Sequence, residues 1–232
     1  MIHRDLLDSL RTRRYIAAMH DAEQIGLPFM KMHGLGNDFV VLDSRGQHLD
    51  VTPALATALS DRHRGVGFDQ LAIISGQLDA LKLTFLNADG SVSAACGNAT
   101  RCIARYMMDE TSSDDLILET DRGTLQAVDV GEGLTSVNMG HPQLEWQDIP
   151  LSEEMSTLHL PIEGDPVATG MGTPHCTFFM DDVEAVELSD FGARHEVHPL
   201  YPERTIVQIA QIVGPDLIRM RVWERGVGIT LA

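Results

Sequence analysis

Lysine is nearly missing from this sequence: Lys31 and Lys82 are its only examples, and both fall within or beside strand-like runs. Pyridoxal chemistry holds its cofactor on a Schiff-base lysine, so that chemistry is disfavoured. Cysteine is scarce too. Cys96, Cys102 and Cys176 are odd in number and well separated. They make no disulfide framework, and reduced cytoplasmic thiols are the expectation. No apolar run approaches the roughly 20 residues of a membrane span. HExxH, CxxC, P-loop and GxGxxG patterns do not occur, so metal and nucleotide sites have no motif behind them. Positive charge is short: 17 basic residues stand against 34 acidic ones, a net charge of −17. That balance disfavours a nucleic-acid or anionic-membrane surface. It leaves room for a small zwitterion held locally.

What is present suits a folded chain. A hydrophobic content of 44% over 232 residues is ample for a core, in one large or two small domains. Residues 1–28 read as an amphipathic helical extension with Leu6, Leu7, Leu10, Ile16 and Met19 on one side, ended by Gly26 and Pro28. Its interspersed acids argue against a transit peptide, and it has no continuous apolar stretch for a secretory signal. Strands are expected at 29–33, 39–43, 71–75, 81–86, 116–119, 124–130 and 136–139. A Thr52-Pro53 start predicts a helix over 54–62. Residues 141–168, with four prolines and scattered acids, suit a connection between halves. Beyond it come a strand at 176–180, a short helix over 181–191, and strands at 206–213 and 217–223.

One stretch carries chemistry. The strand 81–86 runs into a turn rich in Asn, Asp, Gly and Ser, and Cys96-Gly97-Asn98 then opens a helical pattern. Ala99, Cys102, Ile103, Tyr106 and Met107 mark its apolar face. A thiol just before a helix N-terminus meets free N–H groups and the positive end of the helix dipole, and both favour the thiolate. The same N–H groups can hold a carboxylate. A small buried cysteine at a tight turn is the plainer reading of the same residue.

Slid along itself by about 137 residues, the sequence repeats. Residues 79–87 lie over 216–224, with basic, apolar and turn positions in agreement. Gly36-Asn37 followed by 39–43 lies over Gly172-Thr173 followed by 176–181. Each half is expected to read strand, glycine turn, strand, helix, strand, strand, turn. Asn87 precedes Cys96 by nine positions, and nine positions after Glu224 is 233, one past Ala232. The second unit is therefore expected to be incomplete or degenerate, without its own cysteine and helix.

Seven motifs stand in one order: KMHGLGNDF at 31–39, Phe68-Asp69-Gln70, NADGS at 87–91, ACGNATRC at 95–102, GTPHC at 172–176, Pro202-Glu203-Arg204, and WERGVG at 223–228. In these the chain resembles the diaminopimelate epimerase family, cofactor-independent amino-acid epimerases of lysine and peptidoglycan biosynthesis. The resemblance covers about residues 30–232. It implies an α/β fold of the α+β type, with two pseudo-symmetric domains, each a mixed sheet curled around a central helix. The domains would span 29–145 and 146–232, the second incomplete. It implies no cofactor and no metal, a cytoplasmic homodimer, and interconversion of the LL and meso isomers of diaminopimelate by two cysteines on opposite faces of the α-carbon. Two helix N-termini aimed at the substrate carboxylate would stabilise the carbanionic transition state.

Carried over residue by residue, Cys96 matches the first catalytic cysteine and His175 the histidine near it. Asn37, Gln70, Asn87, Gly97, Asn98, Glu224 and Arg225 match substrate-holding positions, where amides and a guanidinium grip carboxylate and ammonium groups. Taken alone, Asn37 and Asn87 would read as turn residues, His175 as a core or surface histidine, and Glu224 with Arg225 as a solvated pair. Cys102 and Cys176 fall at apolar-patterned positions and read as packing. The chain departs from the family pattern where Thr173 and Ile206 replace asparagines and where the second cysteine is absent. These departures motivate the alternative of a non-catalytic, substrate-binding descendant. A cysteine hydrolase built on Cys96 and His175 is a third reading, with no oxyanion-hole or acidic-partner motif behind it.

Overall fold

The computed structural model describes residues 27–230. The helical extension read over 1–28 lies outside this range except for its last two residues. Eight strands of the first half form one sheet: β1 (Met30–Gly34), β2 (Asn37–Asp43), β3 (Gln70–Gln77), β4 (Ala80–Asn87), β5 (Val92–Ser93), β6 (Asp115–Thr120), β7 (Gly123–Gly131) and β8 (Leu134–Asn138). Its order is β1-β2-β3-β4-β6-β7-β8, with β5 paired to β4. Two helices flank it, α1 (Pro53–Ser60) and α2 (Gly97–Thr111).

α1 forms where the sequence announces it. Thr52 accepts a hydrogen bond from the Leu55 N–H, and Pro53 occupies the first turn, where its missing N–H costs nothing. α1 packs on the outer face through Ala56 against Val40, Leu42, Phe68, Leu71 and Leu86. α2 lies in the concave face and touches both β1 and β8, so the sheet curls around it. Its buried stripe is Ala99, Ile103, Ala104, Met107 and Met108, packed on Phe39, Val41, Ala72, Ile74, Leu83 and Phe85. The expected face is thus rotated slightly. Cys102 and Tyr106 sit at its margin, half-buried, while Ala104 and Met108 are interior.

The second half builds a five-stranded sheet from β9 (Val167–Gly170), β10 (Pro174–Phe179), β11 (Ile206–Gly214), β12 (Leu217–Glu224) and β13 (Gly228–Ile229), in the order β13-β12-β11-β10-β9. The pairing senses repeat those of the first half. β1–β2 and β9–β10 are antiparallel, β2–β3 and β10–β11 parallel, β3–β4 and β11–β12 antiparallel, and β5 pairs β4 as β13 pairs β12. The offset seen in the sequence is a repeated sheet.

One expectation is corrected. The helix read over 181–191 is a 3₁₀ turn, Val183–Ala185, followed by α3 (Leu188–Glu196). Asp182 does cap, but it caps the short turn. The chain then re-extends, and Glu187 caps the true helix at the Ser189 N–H. The helix of the second half does not take the place of α2. α3 packs on the face of β11 and β12 that carries Val207, Ile209 and Trp223, as α1 does in the first half. Among the described residues, no helix fills the opposite, concave face of the second sheet. Phe179, Ile212, Ile218 and Met220 share that face through the pairs Phe179–Ala210, Ala210–Met220 and Ile212–Ile218. They are 49–67% exposed. β9 was also hidden at the end of the proline-rich connection.

Candidate active site

The first half brings its polar residues to one edge of the sheet, at the open end of α2. Asn37 begins β2, Gln70 begins β3 and Asn87 ends β4. Gln70 and Asn87 are register partners, and Gln70 Nε2 donates to Asn87 Oδ1 at 2.9 Å. Asn87 Nδ2 donates to Ser91 Oγ at 3.0 Å, so the amide is fixed from both sides. Gly34 closes this corner. A Cβ there would stand 3.1 Å from Asn98 Cβ, and a side chain would push the first turn of α2 out of place.

Cys96 is the N-cap of α2. Its backbone is extended and its sulfur accepts from the Ala99 N–H at 3.4 Å. Sγ also lies 4.0 Å from Asn37 Oδ1, which accepts from Asn98 Nδ2 at 3.4 Å. Desolvation works against the lowered thiol pKa read from the sequence. Burial pushes Cys96 up to about 12, and Glu224 adds to the rise across the cleft, while the N–H groups of Ala99 and Asn98 pull the other way without prevailing. Desolvation of the anion outweighs two backbone donors.

The second half supplies the facing wall. β10 carries His175, β11 begins with Ile206, and β12 ends with Glu224, followed by Arg225. These are the topological equivalents of the first wall. Ile206 stands where β3 has Gln70, and Glu224 stands where β4 has Asn87. Burial, helped by Arg225, lowers the His175 imidazole to about 4, so it is neutral at physiological pH. Burial raises the Glu224 carboxyl and lowers the Arg225 guanidinium. Arg225 Nη1 donates to the Glu203 carbonyl at 3.1 Å.

Both walls enclose one cleft of about 250 Å³. All nine residues singled out in the sequence line it: Asn37, Gln70, Asn87, Cys96, Gly97, Asn98, His175, Glu224 and Arg225. Thr173 and Ile206, the two departures, line it as well. Sequence reasoning did not single out Met139, Met171 and Val227, which supply apolar lining; Val227 lies within the WERGVG motif, and nothing in the local pattern of the two methionines marked them. Cys176 is buried on β10 in the core of the second half, and Cys102 Sγ faces the His33 carbonyl at 3.4 Å, so both read as packing. The hydrogen bonds of Cys96 run to Asn37 and Ala99 and not to His175, which leaves the hydrolase reading without a nucleophile–base pair.

Among the contacts that cross between the halves are two from side chains, Arg204 with Asp89 and Gln143 with the Gly172 N–H, and Arg122 steadies the second. Arg204 pairs with Asp89 across the cleft and with Glu196 in its own half. Arg122 donates to the Met139 and His141 carbonyls and to Gln143. Gln143 in turn accepts from the Gly172 N–H at 3.2 Å.

A sequence model described as diaminopimelate epimerase matches residues 29–145 and 167–232. The diaminopimelate epimerase of Acidiphilium cryptum is 49% identical over 211 residues, 88% of this chain and 76% of that protein. That of Rhodospirillum centenum is 46% identical over 211 residues, 88% of this chain and 72% of that protein. The chain thus spans about three quarters of the length of these relatives. Among solved structures, a hydroxyproline epimerase from Agrobacterium vitis shares the fold with a TM-score of 0.53 at 15% identity, over 88% of this chain and 72% of that one. A PhzF-family phenazine biosynthesis protein from Bacillus anthracis does so with a TM-score of 0.53 at 15% identity, over 88% and 74%. Motif order, paired sheets and matched relatives converge, and the chain belongs to the diaminopimelate epimerase family.

Proposed function

We propose that the chain acts on diaminopimelate as a cofactor-independent epimerase-type enzyme, with Cys96 exchanging the α-proton on one face of the substrate. The observation that carries this reading is the placement of Cys96 at the mouth of α2, inside a cleft whose two walls offer amides on one side and Glu224 with Arg225 on the other. A substrate carboxylate set over the N–H groups of α2 would be stabilised by the helix end. The same groups would stabilise the charge that develops when the α-proton leaves. Asn37, Gln70, Asn87, Asn98 and Arg225 supply donors and acceptors for ammonium and carboxylate groups. Glu224 and neutral His175 face the same space.

The proton balance is simple. Cys96 as thiolate removes the α-hydrogen and becomes a thiol, and the electron pair stays on the α-carbon and its carboxylate. Return of a proton from the same sulfur restores the original configuration; delivery from a second group on the opposite face inverts it. Cys96 is the one thiol lining the cleft among the described residues. Exchange of the α-hydrogen with solvent at this thiol is the expected outcome. Incubation with LL- and meso-diaminopimelate in deuterated water, followed by mass spectrometry and chiral chromatography, tests this. Deuterium uptake at the α-carbon that disappears in Cys96→Ala supports the reading. No uptake under saturating substrate overturns it.

A second reading has its own observation. Burial holds Cys96 as a thiol, and Ile206 presents no polar group where its first-half counterpart presents an amide. Such a cleft suits a protein that binds an amino acid without turning it over. Calorimetry separates the two: saturable binding of diaminopimelate with no deuterium uptake selects the binder. Assembly as a homodimer and residence in the cytoplasm belong to the same family-based proposal.

A further inference from the structure

Asp69 does not line the cleft, yet its buried carboxylate gathers three donors. Oδ2 accepts from Asn37 Nδ2 at 3.0 Å and from the Asp38 N–H at 3.1 Å. Oδ1 accepts from Arg62 Nη2 at 2.8 Å. Arg62 also grips Asp38, which Lys31 holds from the other side, so the carboxylate cannot swing. An ionised carboxylate has acceptors and no donor. It admits the Asn37 side chain in one sense only, nitrogen inward, because the flipped amide would bring two oxygens face to face. The Asn37 carbonyl is thereby aimed outward at Cys96 Sγ and Asn98 Nδ2. A sulfur that faces an acceptor is favoured as S–H, and one that faces amide N–H groups is favoured as S⁻.

We propose that Asp69 is a positioning residue for Cys96: by locking the Asn37 amide with its carbonyl toward the cleft, it holds the sulfur in the thiol form. The inference rests on the reading of Cys96 as the proton-transferring group and adds how its resting protonation is set. Cys96 begins as a thiol; when a substrate ammonium takes the Asn37 carbonyl for itself, the thiol proton is released to solvent and the thiolate that remains is the base. Burial is the largest influence on the sulfur and favours the thiol; Glu224 and Cys102 favour it too, and the N–H groups of Ala99 and Asn98 favour the thiolate. His175 and Arg225 lie across the cleft. The test leaves all of these in place.

The test is the pH profile of carboxamidomethylation by iodoacetamide between pH 7.5 and 10.5, read at Cys96 by peptide mass spectrometry in wild type, Asp69→Asn, Asn37→Ala and the double variant. Alkylation needs no turnover, so an inactive enzyme still reports and the two proposals fail separately. In Asp69→Asn the neighbour offers donors as well as acceptors, Asn37 can flip, and the profile is expected to move down by about one pH unit. That is about a tenfold faster reaction at pH 9. In the Asn37→Ala background the same substitution is expected to have no further effect. A folded Asp69→Asn protein with an unmoved profile overturns the proposal. So does an equal shift in the Asn37→Ala background, since a bare charge effect would survive there. If Asp69→Asn does not fold, Asn37→Ala alone decides. Loss of the carbonyl must speed alkylation at pH 9, and an unchanged rate overturns the proposal.

Discussion

At the residue scale, the outcome for each side chain was settled by the medium around it. Cys96 has the cap position that lowers a thiol pKa in a wet helix end, and it ends high because burial dominates. His175 follows the same rule with the opposite sign, since burial penalises its cationic form and the imidazole falls to about 4. This has a consequence for stability. The unfolded chain takes up a proton at His175 near pH 6.5, whereas the folded chain does so only near 4. Stability therefore declines as pH falls from about 6.5 towards 4, where the unfolded state binds more protons. His195, also lowered by burial, adds to the decline. His175→Gln is expected to remove its share, about 2 kcal/mol at pH 5 relative to pH 8. Urea unfolding at the two pH values measures it. Equal pH sensitivity in the variant and wild type would exclude His175 as the source.

At the element scale, α3 shows how packing reverses a propensity. Gly192 lies inside this helix, where alanine ordinarily gains about 1 kcal/mol. Here a Cβ would stand 2.4 Å from Trp223 Cγ and 2.5 Å from Trp223 Cβ. Trp223 is held in turn by its Nε1 bond to Glu196 Oε2 at 2.7 Å. The helix would have to lift off β12. Gly192→Ala is expected to destabilise by about 1–3 kcal/mol, the range for overpacking. A thermal melt decides, and a melting temperature at or above wild type would show that the helix can shift at little cost. The boundaries of α3 were hard to read for a related reason. Asp181 and Asp182 look like a helix start, and Asp182 does cap a 3₁₀ turn, but Leu188, Gly192 and His195 are the positions that face the core. The apolar contact on the sheet chose the later start. α2 was more legible because its Gly-Asn opening and its apolar period agree along its whole length.

At the scale of the whole molecule, two nearly equivalent sheets meet at one cleft, and their concave faces are treated differently. The first is filled by α2. The second leaves Phe179, Ile212, Ile218 and Met220 49–67% exposed on one continuous face with the cleft wall. Clustered apolar exposure of this kind binds apolar probes. Anilinonaphthalene sulfonate is expected to fluoresce on the native protein, and the cross-strand pair Ile212→Lys with Ile218→Glu should lose at least half of that signal. The melting temperature should stay within about 2 °C, because both positions face solvent. Undiminished fluorescence in the folded double variant would place the dye elsewhere.

The sequence alone determined the repeat, the order of the motifs and most strands, because each depends on local signals: alternation, glycine turns, a helix start; the nine site residues came from the family resemblance that those motifs carry. It also determined the scarcity of lysine and the excess of acid, which narrowed the chemistry before any fold was known. Tertiary structure alone decided the remainder. β9 is four residues at the end of a proline-rich stretch and becomes a strand by pairing with β10. Met139, Met171 and Val227 enter the cleft from three separate turns. The ionisation of Cys96 and His175 follows from desolvation, a property of what surrounds a residue and not of its neighbours in the chain. Asp69 reaches Cys96 through Asn37, and that relay exists only once β2 and β3 lie side by side.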